Sequence, residues 1–146
     1  MKVSVGQGRI LALDLGKKRI GLALSDGLGV TAQPLDTYVR TRIREDLEAL
    51  TALMDERGVG LILIGNPLHM SGDESRQTAW AREFGERLAA RSGRPVEYRD
   101  ERWTSLEAER LLRTNGKLPD RRSGAVDKMA AVLLLQSYLD SRGASF

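Results

Sequence analysis

An α/β fold built on one mixed sheet is what this chain predicts, and two observations predict it. Near the start, the apolar runs 9–15 (RILALDL) and 19–25 (RIGLALS) are separated by only Gly16, Lys17 and Lys18, which is too short for a parallel crossover and forces an antiparallel hairpin. Further on, apolar runs alternate with segments of helical spacing, the pattern of parallel strands joined by helices. Together they predict a five-stranded mixed sheet, antiparallel across strands 1–3 and parallel across strands 1, 4 and 5, with helices on its faces.

Each element has its own signal. Residues 1–8 read as a loose leader. The run 9–15 is almost continuously apolar, as expected for a strand buried on both sides. After the 27–29 turn a third strand is expected over residues 33–39. Ile43, Leu47, Leu50 and Met54 repeat at helical spacing, and Gly58 is placed to stop that helix. Residues 59–65 (VGLILIG) form the fourth strand. Ser71 and Glu74 have capping-box spacing for a helix that carries Trp80, Phe84 and Leu88 on one face, and Gly93 and Pro95 end it. The fifth strand covers 96–99. Thr104 and Glu107 repeat the capping-box spacing for a helix to about Arg113, 115–124 (NGKLPDRRSG) reads as a basic loop, and a last helix spans 124–140 with Val126, Ala130, Leu133 and Leu134 inward. Residues 142–146 read as a tail.

At 146 residues and 41% hydrophobic composition, the chain is expected to be one domain with one core. It contains no cysteine and one histidine, His69, so thiolate metal sites and disulfides are excluded and any bound metal must take oxygen ligands. Nothing near the start has the apolar core of a signal peptide, and no run reaches ~18 apolar residues; a soluble cytoplasmic protein with no membrane partner is expected. A net charge of +3 suits an anionic partner without identifying one.

The chemistry lies in three carboxylates far apart in sequence: Asp14 inside the first apolar run, Glu101 after the fifth strand, and Asp127 in the first turns of the last helix. Ligands of open α/β sheets gather at the carboxyl ends of the strands, and right-handed crossovers bring Glu101 to the same edge as Asp14. Asp127 joins them if the last helix starts over that edge, where the positive helix end tolerates an anion. Converging carboxylates repel, and a shared divalent cation relieves the repulsion. Two such ions would support phosphodiester hydrolysis. Read singly, Asp14 could cap its own hairpin, Glu101 could pair with Arg99 or Arg102, and Asp127 could be an ordinary helix-start charge; Asp100 competes with Glu101, because strand alternation sends only one of them to the site.

Four segments in order, LALDLGKKRIGLALSD, LILIGNPLHMSGDES, YRDERWTSLEAE and VDKMAAVLLLQSYLD, resemble the bacterial YqgF family of Holliday-junction-resolvase-like pre-16S rRNA nucleases, over residues 9–141. The resemblance implies a ribonuclease H-like fold, a cytoplasmic enzyme that processes the 5′ end of 16S rRNA precursor, and Mg²⁺ or Mn²⁺ held by Asp14, Glu101 and Asp127. His69 departs from the family's more usual asparagine and is expected to face solvent.

Basic residues flank the acids. Lys17, Lys18 and Arg19 sit on the turn beside Asp14, Lys117, Arg121, Arg122 and Lys128 lie in or beside the loop before Asp127, and Arg102 follows Glu101. They are the candidates for holding a polyanionic backbone. Arg40, Arg42 and Arg44 read instead as a solvated charge run, and Trp103 as a packing residue. Two other functions compete with rRNA cleavage: resolution of branched four-way DNA, which requires a homodimer to cut two strands symmetrically, and non-catalytic rRNA binding during ribosome assembly. The nucleotide-binding half of a sugar kinase or actin-like ATPase also opens on an aspartate followed by glycine, but it needs a second lobe for which this chain has no room.

Overall fold

The computed structural model describes residues 8–66, 76–100 and 125–143. The opening hairpin forms as expected: β1 (Arg9–Leu15) pairs antiparallel with β2 (Arg19–Ser25), with Asp14 opposite Gly21 and Leu15 opposite Ile20. Gly16 closes the turn by donating its N–H to the Arg19 carbonyl at 2.9 Å. A Cβ at Gly16 would lie 2.6 Å from that same carbonyl oxygen, so the tight turn requires glycine here.

The expected third strand over 33–39 is two short pieces, β3 (Ala32–Pro34) and β4 (Tyr38–Val39), both paired with β2. Pro34 has no N–H to continue a ladder. Leu35 still donates to the Leu22 carbonyl at 3.0 Å, and the chain rejoins β2 at Tyr38, opposite Ile20.

Helix α1 (Ile43–Arg57) follows, with Leu50 and Met54 fully buried. Gly58 stops it in the left-handed conformation at φ 69°, its N–H bonded to the Met54 carbonyl. Strand β5 (Val59–Asn66) then pairs parallel with β1, helix α2 (Arg76–Ser92) crosses over, and β6 (Val96–Asp100) pairs parallel with β5. Helix α3 (Ala125–Gly143) completes the described chain. The sheet has six strands, ordered β3-β2-β1-β5-β6 with β4 also on β2, so β1 is central.

Two cores result. On one face Leu11, Leu13, Leu15, Leu22, Ile62 and Ile64 pack against Leu50 and Met54 of α1 and Phe84 and Leu88 of α2. On the other Ile10, Ala12, Ala23 and Leu63 pack against α3. Among the residues of α3 whose burial is described, Ala130, Ala131, Leu134, Leu135 and Leu139 are buried; Ala130 and Leu134 face inward as expected, Leu133 is only half-buried, and the side chain of Val126 lies outside the described ones. Alanines on both the strands and the helix let α3 approach the sheet closely. Among the described residues, no helix is long and apolar enough to cross a membrane. Both capping boxes, the helix expected from Thr104 and the 115–124 loop lie outside the described residues.

Candidate active site

Register fixes where Asp14 stands. Leu13 of β1 is level with Ile64 of β5 and Tyr98 of β6, so Asp14 occupies the next row towards the carboxyl ends of the parallel strands, beside Gly65 and Arg99. Alternation places it on the face of Ile10 and Ala12, the face covered by α3. It is 9% exposed, a carboxylate sunk in a strand otherwise made of buried apolar residues. Burial of that kind is costly without compensation, which separates Asp14 from an ordinary turn residue.

The hairpin also delivers Lys17, Lys18 and Arg19 to the same edge. Both lysines are exposed and Arg19 is half-buried opposite Val39. Asp14 and these three cations therefore stand on one hairpin, at the same end of the sheet. Asp127 and Lys128 are the third and fourth residues of α3, in its first turn. Glu101, Arg102, Trp103, Lys117, Arg121, Arg122 and His69 lie outside the described residues.

Arg40 corrects the reading of a solvated charge run. Its side chain is 13% exposed, and its Nε pairs with Asp46 Oδ2 at 3.3 Å. Its Nη1 donates to the Gly16 carbonyl at 3.2 Å, and its backbone N–H donates to the Lys18 carbonyl at 2.9 Å. The guanidinium lies over the Trp80 ring, 4.4 Å from its centroid, with the Phe84 ring at 5.5 Å. Arg44, by contrast, is the solvated residue expected, in an exposed pair with Glu48.

Asp46 is the anchor of this cluster and is fully buried. Its Oδ1 accepts the Tyr38 hydroxyl at 2.8 Å, the Thr41 N–H at 2.9 Å and the Thr41 hydroxyl at 3.3 Å. Burial pushes the carboxyl up, but the bonds from the Thr41 N–H, Tyr38, Arg40 and the Thr41 hydroxyl outweigh it and hold the group below its usual range. Tyr38 shifts the other way, raised by burial and by its bond to the carboxylate. Sequence reasoning passed over Asp46 because an acid in the first turn of a helix needs no explanation beyond the helix dipole.

On the α3 face, Arg99 donates to Ser137 Oγ at 3.1 Å and stacks its guanidinium 6.0 Å from the Tyr138 ring centroid. Glu97 and Arg99 share the parity that faces α3, while Tyr98 reaches the Arg82 carbonyl of α2 at 3.2 Å. At the opposite end of the sheet, Gln136 of α3 accepts the Ala32 N–H and donates to the Val30 carbonyl, both at 3.0 Å.

Residues 8–141 match the family model RuvX, described as Holliday junction resolvase. A relative from Koribacter versatilis, named as a candidate pre-16S rRNA nuclease, is 47% identical over 140 residues, covering 96% of this chain and 92% of its own. One from Synechococcus elongatus with the same name is 42% identical over 132 residues, covering 90% and 89%. Among solved structures, RuvC of Thermus thermophilus in complex with a Holliday junction substrate superposes with a TM-score of 0.62 at 15% identity, covering 94% of this chain and 97% of its own. At that identity the likeness is one of fold, and it is the RuvC-like, ribonuclease H-type fold expected from the motifs.

Proposed function

The chain belongs to the RuvX family, and from that premise we propose that it is a nuclease that hydrolyses phosphodiester bonds of 16S rRNA precursor, with Asp14, Glu101 and Asp127 as its catalytic acids. The observation that carries the reading is the buried carboxylate of Asp14 at the carboxyl end of the central strand, in a chain alike over nine-tenths of its length to relatives named for that substrate.

Backbone geometry supports the other two acids. Within β6, Glu97 and Arg99 have the parity of Asp14's face and Asp100 has the opposite one, which argues against Asp100 as the second acid. Gln136 fixes the latter half of α3 at the 30–32 end of the sheet, and Asp127 precedes it by nine residues, ~13 Å along a helix axis. The rise from Ile10 to Asp14 along β1 is also ~13 Å. A helix running against β1 would thus start level with Asp14.

The donors fit a hard divalent cation. Among the described residues no group of three His, Cys, Asp or Glu stands together, and of the proposed set Asp14 is the member whose side chain is described. Its oxygens suit Mg²⁺ or Mn²⁺, and a chain without cysteine offers no softer alternative. When bound, such ions lower the pKa of a coordinated water and neutralise charge on the phosphate, as one ion or as a pair. The chain's own contribution is placement. Asp14, Glu101 and Asp127 would hold the cation, while Lys17 and Lys18, exposed on the turn two and three residues past Leu15, would grip phosphates beside the scissile one. Arg19, Arg102, Lys117, Arg121, Arg122 and Lys128 extend that basic rim in the proposal. Action on rRNA precursor places the enzyme in the cytoplasm.

The description of the family model favours a second reading, cleavage of branched DNA, which would need a homodimer to cut two strands symmetrically. One experiment separates them: cleavage of a labelled rRNA-precursor fragment, single-stranded DNA and a four-way junction by wild type and Asp14→Asn, with Mg²⁺, Mn²⁺ or EDTA. Metal-dependent RNA cleavage abolished in Asp14→Asn is the expected outcome. Preferential junction cutting would replace RNA with DNA, and binding without cutting in either metal would make the protein an assembly factor.

A further inference from the structure

Asp14 is followed by a three-residue turn that must hold one shape if the carboxylate and the lysine pair are to address the same phosphate. Arg40, its side chain 13% exposed, is fastened to that turn twice, by its guanidinium to the Gly16 carbonyl and by its N–H to the Lys18 carbonyl. The guanidinium is itself fixed from three directions: by the Asp46 carboxylate of α1, by the Trp80 ring of α2 and by the Phe84 ring. A buried ion pair often adds no stability over apolar residues of the same volume, so the value of this one lies in what it positions. We infer that Arg40 is a positioning residue of the active site, which holds the 16–18 turn so that Asp14 and the Lys17–Lys18 pair face one phosphate group.

The inference rests on the nuclease reading for its consequence but not for its geometry. Arg40 touches neither substrate nor metal in this proposal. It acts through two backbone carbonyls, and a guanidinium suits the task because its planar fork can bond a carboxylate and a carbonyl at once while stacking on an indole. Lysine keeps the charge opposite Asp46 but has neither the fork nor the flat face. A purely electrostatic role therefore predicts rescue by lysine, and positioning predicts none.

The test compares wild type with Arg40→Lys, with Trp80→Leu as a milder loosening of the same guanidinium should Arg40→Lys fail to fold, and with Arg44→Lys as a solvent-exposed control. Amide hydrogen exchange reads the geometry without any assumption about activity. In Arg40→Lys the Gly16 and Arg40 N–H groups, which close the turn, should exchange at least about 10-fold faster while Ile62 to Ile64 in β5 stay protected. Mn²⁺ affinity by calorimetry should weaken about 10-fold, as when an outer support of a metal ligand is lost. On the RNA fragment kcat should fall about 10- to 100-fold with KM within about 3-fold, the mark of misplaced chemistry rather than lost binding. Unchanged exchange at both amides in a folded Arg40→Lys or Trp80→Leu variant overturns the inference, as does a KM increase with kcat intact. Failure of wild type to bind Mn²⁺ and to cut any substrate is a separate result that removes the nuclease reading, and the exchange data then still decide whether Arg40 holds the turn.

Discussion

The two ends of β2 are each held by an aspartate, and they are held in opposite ways. At the 26–31 end, Asp26 is exposed and works on its own neighbours: its Oδ1 accepts the N–H groups of Val30 at 2.7 Å and Thr31 at 3.1 Å, and its carbonyl accepts that of Gly29. Those two backbone bonds hold its carboxyl below the usual range. At the 16–18 end no aspartate lies in the turn. Asp46, more than twenty-five residues away, is fully buried and acts through Arg40 on the Gly16 and Lys18 carbonyls. The 26–31 loop, closed by its own aspartate and touched from α3 by Gln136, carries exposed Leu28 and Val30 and none of the proposed catalytic groups, whereas the remotely braced turn adjoins Asp14. At one end a local motif makes most of the closing bonds, while the turn next to Asp14 is tied to both helices behind it.

The comparison breaks most sharply at its buried member. Asp46→Asn leaves the Arg40 guanidinium in the interior without a counter-charge, and should cost about 3–5 kcal/mol in urea denaturation. The same variant tests linkage. A carboxyl whose folded pKa lies below its ordinary 3.8 contributes stability that is present above that pH and is lost as pH falls through the folded value. Wild type should therefore lose stability on acidification below about pH 4 more steeply than Asp46→Asn, read as the slope of unfolding free energy against pH.

Next in size is Gly16→Ala. The added Cβ meets a backbone oxygen at 2.6 Å rather than a yielding side chain, so the turn itself must move, at about 1–3 kcal/mol. Because Asp14 lies two residues away, cleavage should fall more than stability suggests, and equal losses in a cleavage assay and a melt would show that the turn carries no catalytic geometry. Gln136→Ala removes two bonds at the opposite end and should cost about 1 kcal/mol with cleavage unchanged. Asp26→Ala should be the mildest: a small drop in Tm, faster exchange at Val30 and Thr31, and no change in cleavage. Loss of activity in either of the last two would erase the distinction between the ends.

What the sequence made legible follows the range of the interactions involved. The hairpin was readable because two apolar runs three residues apart admit one arrangement, and the stop of α1 because Gly58 stands alone after a periodic stripe. Asp14 was readable because an acid inside an apolar strand conflicts with its surroundings. The split of the third strand had a signal in Pro34 that was passed over. Arg40 and Asp46 were not readable: RTRIRED presents mixed charges before and within a helix start, and nothing local says which arginine turns inward. That choice is made by Trp80 and Phe84, aromatic residues some forty positions on, which the sequence showed only as one helix face. The remaining acids, Glu101 and Asp127, rest on parity and axial rise rather than on side-chain contacts.

The alternation of β1 has a consequence for folding. Its odd-numbered residues Leu11, Leu13 and Leu15 face α1 and α2, while Ile10, Ala12 and Asp14 face α3. A slip of one residue against β2 or β5 would exchange the two sets and drive a carboxylate into the cluster of Leu50, Met54 and Phe84. The penalty for stranding that charge among hydrocarbon side chains is far larger than the small packing differences among leucine, isoleucine and alanine that would otherwise tell one pairing from the next. Asp14 thus acts as an indexing mark on the central strand, a single charge that penalises every pairing but the one that keeps it out of the leucine-rich face.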